Sequence, residues 1–302
     1  MEKQLPPGEL QFLSLTSTVS IGSVLASGWL LILLWRKPQK SPLEFQMKHL
    51  AIADIAFHGY SICEMFVIAI WACSGHPELM RCVAVFRPLR DACFFASILV
   101  EVSIAFTFVL QSFQLSGRTV QIQRRCSAML YWPGGVFVAL WTNVNFLVNA
   151  SRERAFLDAD ADGSGFLNME EFKQVKFFTF NPCSDAATKE VSMLVHQLLI
   201  CALVVNLSLY IVALVVSSFL GMRSVGKRAR RYFFVYPINF LITWAPLVFF
   251  PYAYDRQYFH LRDGREGEQF AKSVALLLLS SNGLVNALTY ATQVRSWCPD
   301  LV

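Results

Sequence analysis

VSMLVHQLLICALVVNLSLYIVALVVSSFL, residues 191–220, runs for thirty positions without an Asp, Glu, Lys or Arg. A helix at a protein surface keeps one polar face, whereas this stretch is apolar all round. About 20 such residues cross the hydrocarbon core of a bilayer as a helix. Six further blocks share the character: residues 12–35, 49–72, 92–115, 127–148, 232–254 and 270–292. None shows the ten-residue alternation of a transmembrane β-strand, so bundled helices with internally satisfied backbones are expected. The composition agrees. Of 302 residues, 55% are hydrophobic and 16% charged, against about 25% charged in soluble domains; mean hydropathy is +0.45. Disorder, collagen, coiled coil and a disulfide-dense secreted scaffold are excluded on the same grounds. The expected architecture is an all-α membrane protein, a seven-transmembrane helix bundle.

The first block is read as a retained helix rather than a signal peptide. It is flanked by Glu2, Lys3 and Glu9, and no small-residue cleavage site follows it. Orientation rests on charge density. Segments 36–48, 116–126, 223–231 and 293–302 hold 13 Lys/Arg in 43 residues, and the alternate set holds 13 in 93. The denser set is expected in the cytosol, with the run Arg223, Lys227, Arg228, Arg230 and Arg231 as its strongest patch. The amino terminus is then outside and the plasma membrane the favoured location. The sequon at Asn149 and the cysteines Cys73, Cys82, Cys93 and Cys183 fall at or near the opposite, oxidising face. No nucleic-acid-binding signature accompanies the net charge of +5.

Between the fourth and fifth blocks lies Asp160-Ala-Asp-Gly-Ser-Gly-Phe-Leu-Asn-Met-Glu-Glu171. A hard cation of calcium's size takes six to eight oxygens, and a tight turn of short acidic and amide side chains supplies them. Asp160, Asp162 and Ser164 occupy positions 1, 3 and 5, and Gly165 the sharp turn at 6. The Phe166 carbonyl, Asn168 and a bidentate Glu171 follow at 7, 9 and 12. The segment resembles an EF-hand, with apolar Phe156 and Phe172 at its flanks. Ca2+ is the expected cofactor, bracing an extracellular helix-loop-helix within residues 149–190. That insert divides the chain into helices one to four, 1–148, and helices five to seven with a short tail, 191–302.

Three stretches in order resemble G-protein-coupled receptors. Leu50-Ala-Ile-Ala-Asp54 is similar to their LAxAD, whose carboxylate binds sodium in many members. Tyr236-Pro237-Ile-Asn-Phe-Leu-Ile-Thr-Trp244-Ala-Pro246 resembles their WxP bend. Ser280-Ser-Asn-Gly283-Leu-Val-Asn286-Ala-Leu-Thr-Tyr290 resembles NPxxY with Ala287 in place of proline. The spacings look most like the cyclic-AMP receptor-like group. The resemblance implies a switch formed by Asp54, Arg118, Trp244, Pro246, Asn286 and Tyr290, and a heterotrimeric G protein as partner. It also implies a Cys93–Cys183 disulfide, with Cys73 and Cys82 as candidates for a second. Arg118 stands in for the arginine of an absent DRY triplet, at the expected end of helix three. Gly28 and Trp29 occupy the place of a helix-one asparagine.

The residues carry a parallel reading of their own. Pro246 removes a backbone donor and makes helix six a hinge. Asp54 must face the bundle interior, and Asn286 and Tyr290 share one helix face. Glu64 and Glu101, each counted from the outer end of its block, fall at a common depth of roughly 12–14 Å. With Trp244 they form the candidate ligand pocket, suited to a cation or to a shared proton. No Arg or Lys lies within the apolar blocks at that depth, so the cyclic-nucleotide ligand is not carried over. Retinal is not expected, because Ser280 stands where its lysine would be. Two other readings are a calcium-regulated transporter or channel, with Asp54, Glu64 and Glu101 along an ion path, and a structural membrane subunit whose calcium loop docks to a neighbouring protein. No arrangement of catalytic residues suggests an enzyme.

Overall fold

The structure, a computed structural model, describes residues 7–36, 42–74, 78–113, 117–150, 186–220, 235, 237–244 and 266–297. Among these residues the chain is helical, with no strand. The helices are α1 (Pro7–Arg36), α2 (Pro42–Ser74), α3 (Glu78–Ser112), α4 (Gly117–Ala150), α5 (Ala186–Phe219), α6 (237–244), α7 (Glu266–Ser280) and α8 (Asn282–Trp297). Each of the seven apolar blocks therefore contains helix. Pro7 and Pro42 open their helices, where the missing N–H has no intrahelical partner to lose.

Four stretches are long and apolar enough to cross a membrane: Ser14–Arg36, Leu43–Val67, Val85–Ser112 and Gln197–Phe219. Ser273–Ser280 and Asn282–Ala291, bent by 44°, make a fifth if the pair is one span. The protein is thus a multi-pass, all-helical membrane protein with four or five such spans among the described residues. α4 and α6 are not counted among them.

α3 is the axis of the bundle. It packs against α2, α4 and α5, and 78% of its apolar stretch is buried, against 22% for α5. α1 packs on α2, α7 and α8. Apolar burial contributes little between helices that would otherwise face lipid, so close backbone approach and polar contacts hold such bundles together. Both devices are present. A Cβ on Gly135 would lie 2.5 Å from the Ala92 carbonyl oxygen and 2.9 Å from the Ala96 nitrogen, so α4 rests directly on the α3 backbone. Further along α3, Ser103 gathers three helices: Gln46 Nε2, Gln123 Nε2 and Tyr131 Oη donate to its hydroxyl at 2.9, 3.1 and 2.8 Å. Trp132 Nε1 donates to His49 Nδ1 at 3.3 Å, a further α4–α2 tie.

The bend between α7 and α8 has an identifiable cause. In a straight helix the Leu284 N–H would donate to the Ser280 carbonyl. Instead Ser23 of α1 donates its hydroxyl to that carbonyl at 2.5 Å, and Leu284 N–H reaches the Ser23 oxygen at 3.4 Å. A side chain inserted in the ladder kinks a helix. Gly283 allows the approach, since a Cβ there would sit 2.7 Å from Ser27 Oγ.

The helix limits correct two sequence expectations. α3 begins at Glu78, well before the apolar block at 92, because its first turns carry Arg87, Arg90 and Asp91 without losing helical continuity. Cys93 therefore lies well inside α3 as a buried free thiol, not at the helix start. α3 also ends earlier than expected, at Ser112, so Arg118 opens α4 rather than closing helix three.

Candidate functional site

The carboxylate of Asp54 on α2 is 1% exposed and is held from two sides. Ser97 Oγ of α3 donates to its Oδ1 at 3.0 Å, and so does Asn282 Nδ2 of α8 at 3.2 Å. Asn286 Nδ2 donates to Oδ2 at 3.1 Å and also to Glu101 Oε1 of α3 at 3.4 Å. One amide thus spans two buried carboxyl groups, which interact electrostatically with each other. Helical spacing makes this possible: Ser97 and Glu101 are four residues apart on α3, as Asn282 and Asn286 are on α8, so each pair lies on one face.

Three buried polar atoms at this site have no hydrogen-bond partner: Glu101 Oε2, Asn282 Oδ1 and Trp244 Nε1. The indole N–H of Trp244 on α6 is directed at the Glu101 carboxyl group, just short of the geometry of a formed hydrogen bond. Its ring packs on Phe94 at 5.0 Å and Phe240 at 6.0 Å between centroids, and Phe94 in turn meets Phe57. α6 is further tied to α8 by Asn239, which donates to Thr289. The site therefore joins α2, α3, α6 and α8 at the bend in the last span. Among the described residues, no Lys or Arg forms an ion pair with Asp54 or Glu101.

Glu64 is elsewhere. Arg90 Nη1 donates to Glu64 Oε2 at 2.5 Å, and Arg90 Nε and Nη2 donate to Asp91 Oδ1 at 3.1 and 2.9 Å. Asn143 Nδ2 of α4 donates to Asp91 Oδ2 at 2.9 Å. Arg90 precedes Glu101 by eleven residues of helix, about 16 Å along the axis. Glu64 and Glu101 are thus not a pair at one depth. The sequence count placed the start of α3 fourteen residues too late, so its depths along that helix were wrong. The same finding corrects the expectation that no basic residue lies at that level: Arg90 is buried in α3, 2% exposed, but neutralised by two carboxylates. A charge so paired offers no site for an anion.

Of the other expected switch residues, Asn286 and Tyr290 share the buried face of α8, Tyr290 within a cluster that includes Leu30, Met47 and Tyr131. Pro246, Cys183 and the whole calcium loop, Asp160, Asp162, Ser164, Phe166, Asn168 and Glu171, lie outside the described residues. Cys73, Arg118 and Asn149 lie on helical backbone of α2 and α4, and Cys82 is an exposed free thiol near the start of α3.

The sequence reading missed Ser97, Asn282, Arg90, Asp91 and Asn143. The first two had a signal, their spacing of four from Glu101 and Asn286. Arg90 and Asp91 had none, because they sit outside the apolar blocks, and Asn143 is a lone polar residue within one. No family model matches the chain, and no curated protein is significantly similar to it.

Proposed function

We propose that this protein is a seven-helix receptor of the G-protein-coupled type, in which an extracellular ligand shifts the bundle between two packings and opens a cytosolic face to a heterotrimeric G protein. The observation that supports it is the joining of Asp54, Ser97 and Glu101, Asn282 and Asn286, and Trp244 at one buried centre. Four helices meet there through hydrogen bonds and aromatic contacts that a small rotation of α6 or α8 would exchange. A ligand acts by binding one packing better than the other. Glu64 and Arg90 belong to the half of the bundle nearer the proposed ligand face, and their pairing, with Asp91, gives that half a polar floor. The calcium loop braces the segment above it, and the plasma membrane, with the amino terminus outside, is the proposed setting.

Guanine-nucleotide exchange on a panel of purified Gα subunits, with the protein reconstituted in lipid nanodiscs, tests the reading. Exchange above empty nanodiscs on at least one Gα, altered by Asp54→Asn, is the expected result. Exchange no different from empty nanodiscs on every Gα would refute it. The break at Ser281 beside two buried carboxylates also favours a second reading, an ion transporter, since discontinuous helices frame ion sites in that class. Cation flux into liposomes that Glu101→Gln abolishes would support it.

A further inference from the structure

Buried polar side chains form three tiers along α3. Glu64, Arg90, Asp91 and Asn143 are joined at one end. Asp54, Ser97, Glu101 and Asn286 form the middle tier. At the other end the hydroxyls of Ser103 and Thr107 meet Gln46, Gln123 and Tyr131. Arg90 and Thr107 are seventeen residues apart in one helix, about 26 Å, against roughly 30 Å for a hydrocarbon core. Ionisable groups are costly at such depths, and rows of them mark ion and proton paths. From this stacking, and from an imidazole placed between two of the tiers, we infer that the α2–α3 seam conducts protons across the membrane.

His58 is the group that makes the row continuous. On α2 it lies four residues from Asp54 and six from Glu64, offset about 6 and 9 Å from them along the axis. It is 1% exposed, and its Nε2 has no hydrogen-bond partner. A buried polar atom left unpaired carries the full cost of its desolvation, so an apolar residue would be the more stable occupant. An imidazole instead takes a proton on one nitrogen and releases one from the other. Ser61, with its hydroxyl on the Phe57 carbonyl, lies midway along α2 between His58 and Glu64. Glu101 and Ser103 are two residues apart on α3, about 3 Å in height. The gaps are wider than one hydrogen bond, and rotation of the imidazole and carboxyl groups, or a water, closes each. Phe57 meets the His58 ring and packs on Phe94 at 5.6 Å between centroids, which leaves a path for a proton and not for a hydrated metal ion. At each step one O–H or N–H bond breaks as the next forms. The membrane gradient drives the transfer, and every side chain ends as it began. The inference rests on the transporter reading, with the proton as the ion carried.

The test uses the full chain reconstituted in liposomes that enclose a pH-sensitive dye, with a potassium gradient and valinomycin setting the voltage. Proton entry faster than in protein-free liposomes is expected, with no entry of Na+ in parallel liposomes enclosing a sodium-sensitive dye. His58→Phe and Glu101→Gln should each slow proton entry about tenfold or more. Cys63→Ser, exposed on the same helix, should leave it unchanged. Proton entry no faster than in protein-free liposomes would overturn the proposal. So would entry as fast as wild type in either His58→Phe or Glu101→Gln, an equal loss in Cys63→Ser, or Na+ entry alongside the proton. Na+ entry without proton entry would keep the transporter reading and sink this one. Either of the two seam variants decides if the other fails to fold. No G protein is present, so the outcome is independent of the nucleotide-exchange assay.

Discussion

Arg90→Met tests the buried ion network most sharply. The wild-type guanidinium is 2% exposed and its partner Glu64 5%, with Nη1 to Oε2 at 2.5 Å and two further bonds to Asp91. Methionine fills much of the same volume but removes the positive charge that bridges Glu64 and Asp91. Glu64 is then left as a buried carboxylate whose charged partner is gone. Removing one member of a buried pair costs about 3–5 kcal/mol, most of it the charge left behind. Replacing the pair by apolar groups costs much less, because the desolvation penalty goes with the charges. The double variant Arg90→Met with Glu64→Met should therefore be more stable than Arg90→Met alone, with a coupling of at least about 2 kcal/mol in a double-mutant cycle. Reversible unfolding in mixed micelles, followed by far-UV circular dichroism, gives the four stabilities. Additive costs, or an Arg90→Met change under about 1 kcal/mol, would show that the network is water-screened and the reasoning wrong.

Other variants probe the packing and the proposed orientation. Gly135→Ala should cost about 1–3 kcal/mol, because its Cβ would stand 2.5 Å from the Ala92 oxygen; Gly59→Ala, with nothing within 4 Å, should be neutral or stabilising by up to about 1 kcal/mol in the same assay. Ser23→Ala removes the inserted hydroxyl and should reduce the 44° bend, read as a change in spin-label distance between α7 and α8; an unchanged distance would mean that packing alone holds the bend. If the loop at Asp160–Glu171 binds calcium, wild-type protein should show a calcium-dependent rise in melting temperature with a midpoint on the order of 10⁻⁴–10⁻³ M, and Glu171→Gln should lose that component. Asn149→Gln should abolish an endoglycosidase mobility shift in protein from eukaryotic cells if that end of α4 faces the lumen; wild-type protein with no shift would count against the assignment.

The helical class was legible at once, because a backbone in hydrocarbon must satisfy its own hydrogen bonds and long apolar runs leave it one way to do so. Each of the seven apolar blocks did contain helix. The helix limits were not legible in the same way. Apolar length marks where lipid ends, not where the backbone stops coiling, and α3 shows the difference: its turns through Arg87, Arg90 and Asp91 are polar yet helical. The error in its starting point carried into the depths of Cys93 and Glu101 and into the place of Arg118.

Sequence alone determined that the chain is membrane-embedded and helical, and that Asp54, Glu101, Asn286 and Trp244 are polar groups too costly to face lipid. It could not say which of them meet. Contact between residues 54, 101 and 286 depends on how far each helix slides and turns against α3. Those offsets come from contacts dispersed through the chain: Gly135 on Ala92, the Ser23 hydroxyl in the bend of the last span, and the amides gathered at Ser103. Only the tertiary structure showed that Glu64 belongs to Arg90 and Glu101 to Asp54, because a shift of a few residues along one helix moves its carboxylate from one partner to the other.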